Sequence, residues 1–139
     1  MALKLSLARW ASLALIVTLA AVLSCEDEDS PITGPIECIQ PIQGRLAVKG
    51  ICMNYVIEVL DPINPDWVEA EWVHPNTEVV YTNAFRLGSV CSFDESLNEG
   101  DLFTFEASPE PFEGDENCAV CEAYSPTPNK TLYLRLCGN

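Results

Sequence analysis

The sequence predicts an all-β domain, a small antiparallel barrel or sandwich stapled by disulfides. Three observations lead there. Short alternating apolar segments recur between Gly- and Pro-containing breaks, which is strand chemistry rather than the 3.6-residue period of a helix. Six cysteines, Cys38, Cys52, Cys91, Cys118, Cys121 and Cys137, follow a seventh, Cys25. The stretch carrying the six runs only from Ile36 to Asn139, one domain's length. So small a chain buries about two-thirds of its unfolded surface, and cross-links supplement a thin core.

Residues 1–24 have the three zones of an export signal. Lys4 and Arg9 make a basic start, Trp10–Leu23 is an uncharged apolar run, and Ser24 precedes Cys25. The run is shorter than the roughly 20 apolar residues a membrane span needs. Val22-Leu23-Ser24-Cys25 resembles the lipobox of bacterial lipoproteins, recognised by a type II signal peptidase. That resemblance implies cleavage before Cys25 and a lipid, palmitate included, on its new N-terminus. Several acyl chains hold a protein at a membrane at ~0.8 kcal/mol per buried methylene, with no spanning helix. Residues 25–35 then form a flexible tether. Glu26-Asp27-Glu28-Asp29 repel one another, and Ser30, Pro31, Gly34 and Pro35 oppose regular structure. An acidic patch directly after the lipidated cysteine resembles a signal for display on the outer surface; a plain spacer has the same composition. The expected address is the bacterial envelope at the outer membrane, on its periplasmic or surface-exposed side.

Within 36–139, Arg45–Lys49 reads as a short strand between Gly44 and Gly50. Ile51–Leu60 is the strongest strand, with Ile51, Met53, Tyr55, Ile57 and Val59 on one face. Cys52, Asn54, Val56, Glu58 and Leu60 take the other. Asp66–Val73 fits two patterns: Trp67, Glu69, Glu71 and Val73 alternate as in a strand, but Asn64 as a cap with Pro65 at the first helical position favours a helical turn. Glu78–Leu87 and Leu102–Ala107 are further strands, the second with Phe103 and Phe105 on one face. Pro109–Asn117 is an acidic loop. In the last strand, Leu132–Cys137, the three leucines face inward and Tyr133, Arg135 and Cys137 face away.

The series Cys52-x-x-Tyr55-Val56-Ile57, Tyr81-x-Asn83-x-Phe85, Asn98-Glu99-Gly100-Asp101-x-Phe103-x-Phe105 and Cys118 resembles small uncharacterised lipoprotein domains with an OB-like barrel. The resemblance spans most of the domain and implies a fold but no activity. Six cysteines allow 15 pairings. Cys38 and Cys137 flank the domain, which favours a bridge tying its two ends.

Composition narrows function by exclusion. The whole chain carries a net charge of −14, and loss of 1–24 removes two basic residues and no acidic one, giving −16. That balance opposes nucleic acid and electrostatic docking on anionic lipid. Cys118-Ala119-Val120-Cys121 has the C-x-x-C spacing of redox and zinc sites, but Glu116 and Glu122 disfavour a thiolate there, and His74 is the lone histidine for zinc. Structural disulfides are the better expectation in an exported chain. His74-Pro75-Asn76 reads as a loop with an ordinary surface histidine. Carboxylates are too abundant for any pair, or an Asp115-Glu116-Asn117 calcium shell, to stand out. Trp67, Trp72 and Tyr81 could form a stacking surface for sugar or peptide, although buried aromatics are the commoner use of such residues. The Asn129-Lys130-Thr131 sequon matters only on a eukaryotic secretory route. The expectation is a lipid-anchored, non-catalytic binding or structural module with no cofactor and no metal. Its partners are the membrane, through Cys25, and a cell-surface protein or glycan. The alternative is a small envelope hydrolase or thiol redox protein.

Overall fold

The computed structural model describes residues 36–115, 119 and 121–138. The export signal, Cys25, the tether and Cys118 lie outside the described residues. Among the described residues six strands follow in chain order: β1 (Ile42–Lys49), β2 (Tyr55–Val59), β3 (Glu69–Val73), β4 (Val80–Leu87), β5 (Leu102–Ser108) and β6 (Thr131–Leu136).

Five of them close on themselves. β1 pairs β2 and β5, β2 also pairs β4, and β6 joins β5 to β4. All these pairs are antiparallel except β4–β6, which is parallel. A closed five-stranded ring with this connectivity is an OB-like barrel. β3 stands outside the ring, antiparallel to the first half of β4. Closure removes the free edges that five strands of this length would otherwise present.

Period-two alternation decides which side chains fill the barrel. Leu46, Tyr55, Ile57, Val59, Phe85, Leu87, Phe105, Leu132 and Leu134 form one buried cluster. The loop after β4 adds Phe93, which meets Tyr55 and Phe103 edge-on at 5.8 and 5.7 Å. β1 starts three residues earlier than the sequence suggests and runs straight through Gly44. A Cβ at Gly44 would lie 2.6 Å from the Phe105 ring, so the glycine is a seat for that ring rather than a strand terminator.

β2 starts later than expected. Ile51–Met53 is a 3-10 turn, and both Cys52 (φ 54°) and Met53 (φ 57°) are left-handed. The disulfide Cys52–Cys121 fastens this turn to the long loop between β5 and β6. The second bridge, Cys38–Cys137, ties the two ends of the barrel chain, as their flanking positions suggested. Cys91 is disulfide-bonded as well.

The helical turn expected over Asp66–Val73 is not what forms. The Asn64 side chain accepts the Asp66 amide and its carbonyl the Trp67 amide, a tight turn that ends at once. Glu69–Val73 then extends as β3, because β4 offers it a ladder. Nonlocal pairing overrides the capping signal.

Candidate binding surface

In an OB-like barrel the outward face of the second and third barrel strands, flanked by two loops, is where ligands commonly bind. Here those strands are β2 and β4, and their outer face is covered. Ala47, Val56, Trp72 and Ala84 form a second buried cluster there, with Val48 and Tyr81 against it. The cover comes from the β3–β4 hairpin. Trp72 and Tyr81 are cross-strand partners, stacked at 5.9 Å between ring centroids. Asn83, just before β4 reaches β2, is left-handed (φ 47°), which bends the ladder between hairpin and barrel.

Glu58 pins that bend. It is 6% exposed, on the same outer face as Val56. Its carboxylate takes the guanidinium of Arg45, its partner across β1–β2, and both the amide (2.9 Å) and hydroxyl (3.1 Å) of Thr82. Burial pushes its pKa up, but the Thr82 amide, Arg45 and the Thr82 hydroxyl outweigh burial, and the net shift is downward. Tyr81 shifts the other way: burial, then the charge of Glu99, raise its phenol. Between Arg45, Ala47, Tyr81, Glu99 and Gly100 a groove of about 290 Å³ remains open.

The flanking loops are fixed too. Cys52–Cys121 joins the β1–β2 turn to the β5–β6 loop. Lys49 holds the loop before β5, donating to the carbonyls of Glu95 (2.7 Å) and Leu97 (2.8 Å). Across the barrel a cavity of about 350 Å³ is walled by Ile36, Phe112, Leu134 and Leu136, with Arg135 and Asp115 beside them. Arg135 donates to Glu106 at 2.7 Å and lies 5.0 Å over the Phe112 ring, and its buried Nε has no hydrogen-bond partner among the described residues. Asp115, 8% exposed, accepts the hydroxyls of Ser89 and Ser92, each at 2.8 Å, and Ser89 accepts the Leu134 amide.

Of the three aromatics singled out from the sequence, Trp72 and Tyr81 come together and Trp67 does not join them. It packs against the barrel core. His74 is not a surface residue: it is 9% exposed, edge-on to Trp72 at 5.4 Å. Its Nδ1 accepts the amides of Asn76 and Thr77, which organises the hairpin turn. The C-x-x-C pattern is not a bonded pair, since Cys121 is joined to Cys52. Among the described residues no three His, Cys, Asp or Glu side chains converge as a metal cluster.

The residues the sequence did not single out are Arg45, Glu58, Thr82 and Arg135. Glu58 left a trace, as one carboxylate amid the apolar Tyr55–Val59 run; Asp115 was weighed only as part of a calcium shell, and its bonds to Ser89 and Ser92 were not legible. No protein-family model, curated protein or solved structure matches the chain.

Proposed function

We propose that this chain is a lipid-anchored lipoprotein of the bacterial envelope, whose OB-like barrel serves as a non-catalytic binding module at the outer membrane. The cysteine distribution carries the proposal. Cys38, Cys52, Cys91, Cys121 and Cys137 are all in disulfides, which persist in oxidising compartments. Cys25 and Cys118 lie outside the described residues, and the lipobox-like context of Cys25 favours it as the cysteine that takes lipid. The commitment of His74 and Ser89 to structural hydrogen bonds favours binding over hydrolysis. The bond from Cys121 to Cys52 likewise weighs against a C-x-x-C redox site.

The test is mass spectrometry of the membrane fraction, with thiol titration. The expected result is loss of residues 1–24, added lipid on Cys25 and no free thiol. An uncleaved or unlipidated chain overturns the anchoring.

A further inference from the structure

Among the described residues β3 is the one strand outside the closed ring, and it pairs with β4 alone, which leaves its far edge unused. The His74 amide donates to the Val79 carbonyl at 2.8 Å, so 74/79 is a hydrogen-bonded pair of the ladder. Antiparallel pairs alternate, so Trp72/Tyr81 is bonded too, while Glu69, Glu71 and Val73 turn their backbone N–H and C=O groups away from β4. Among the described residues no hydrogen bond reaches the amides of Glu71 or Val73.

Edges are guarded by charged side chains, lysine above all, by proline or by a bulge. Glu-Ala-Glu-Trp-Val has no lysine, proline or bulge; its guards are two carboxylates, which repel an acidic strand and leave the edge open to a basic one. Side chains two apart share a face, so Glu71 and Val73 sit together on the hairpin's exposed side, beside Thr82 and Val80. Val73 and Val80 are 48% and 51% exposed, an apolar strip that ends abruptly at the edge. Glu71 is exposed and in no ion pair among the described residues, whereas Glu69 already takes the Asn129 amide. A second copy of the chain is a poor occupant. Glu71 is the middle residue of β3, so two-fold antiparallel pairing would set two Glu71 carboxylates directly opposite each other, and the chain is strongly acidic throughout.

We propose that the free edge of β3 accepts an extended segment of another protein as an added antiparallel strand, with an apolar residue opposite Val73 and a basic residue opposite Glu71. The main-chain bonds come from Glu71 and Val73, as in other strand-addition complexes. The alternation apolar–x–basic gives selectivity, with small residues at x because that side faces Ala70 and the buried Trp72. The inference deepens the binding role proposed above. Its assay needs no lipid, so a failure of anchoring and a failure of strand addition are separately visible.

The experiment uses the exported, oxidised full chain in detergent and two peptides of one composition: Thr-Val-Thr-Lys-Thr-Lys-Thr, and a scramble, Val-Thr-Thr-Thr-Lys-Lys-Thr. Calorimetry should find the alternating peptide bound at least tenfold more tightly, and hydrogen exchange should slow at Glu71 and Val73. Glu71→Pro removes one outward N–H and leaves the β4 ladder intact, so it should abolish binding without lowering Tm. Should that variant not fold, Glu71→Lys serves instead and should turn the preference to Thr-Val-Thr-Asp-Thr-Asp-Thr. Binding of neither peptide, equal binding of peptide and scramble, undiminished binding to Glu71→Pro, or an unchanged preference in Glu71→Lys overturns the proposal.

Discussion

Glu58 is a charged side chain kept in a buried position by three donors from two other strands. Arg45 reaches it from β1, and the amide and hydroxyl of Thr82 from β4. Its pKa lies below the ordinary glutamate value of about 4.3. The unfolded chain therefore takes up a proton at a higher pH than the folded chain does. The stabilisation is fully present above the ordinary carboxylate range and is lost as pH falls through that range towards the folded value. Glu58→Gln keeps the shape but loses the charge, so it should cost roughly 1–3 kcal/mol near neutrality, where charge-assisted bonds count. The gap between wild type and variant should then shrink as pH falls from 5 to 3. Urea denaturation at several pH values measures it, and a gap independent of pH would contradict this account. The alternation of β2 placed Glu58 on its outer face, but its burial was not legible. The side chains that enclose that face arrive from a hairpin more than ten residues away.

The β3–β4 hairpin shows the same limit for a whole element. Asn64-Pro65 carries a helix-start signal, and Trp67, Glu69, Glu71 and Val73 carry a strand pattern. Local sequence leaves the two nearly balanced, and the ladder to β4 tips the outcome. The hairpin then depends on one backbone choice. Asn83 is left-handed, a conformation asparagine tolerates and β-branched residues do not. Asn83→Val should destabilise by about 1–2 kcal/mol and unseat Trp72 from Ala47 and Val56, seen as a red-shifted tryptophan emission. Asn83→Gly should leave both stability and emission near wild type. Equal effects of the two substitutions would mean that the bend does not seat the hairpin. The other strands were more legible. Alternation put Ile57 on one face with Tyr55 and Val59, Phe105 on one face with Phe103, and Leu134 inward, and all three fill the barrel. The ends of the strands were not legible, because Gly44 serves the Phe105 ring and Cys52 and Met53 serve a turn held by a distant cysteine. An alternation pattern has no record of either partner.

At the scale of the molecule, two described cross-links do different work around one small barrel. Cys38–Cys137 spans 99 residues and joins the two ends of the barrel domain beside an existing backbone bond, Gly138 amide to Ile36 carbonyl at 3.0 Å. Cys52–Cys121 spans 69 residues and fastens the turn in which Cys52 and Met53 are left-handed. Restriction of the unfolded chain alone would make these bridges nearly equal, because closed loops of 99 and 69 residues differ by only about 0.3 kcal/mol. The native state breaks the tie. A left-handed non-glycine residue costs roughly 1–2 kcal/mol, and opening Cys52–Cys121 lets two of them relax. Replacing Cys38 and Cys137 with serine should therefore cost about 2–4 kcal/mol, and replacing Cys52 and Cys121 at least about 1 kcal/mol less. The second variant should also expose the β5–β6 loop to protease while the barrel stays folded, since the bridge fastens loops and no barrel strand contains either cysteine. Chemical denaturation of both double variants, with limited proteolysis, reads the order directly. Equal losses would show that chain restriction dominates both bridges; a larger loss at Cys52–Cys121 would show that the loop it fastens, and not the tied termini, closes the barrel.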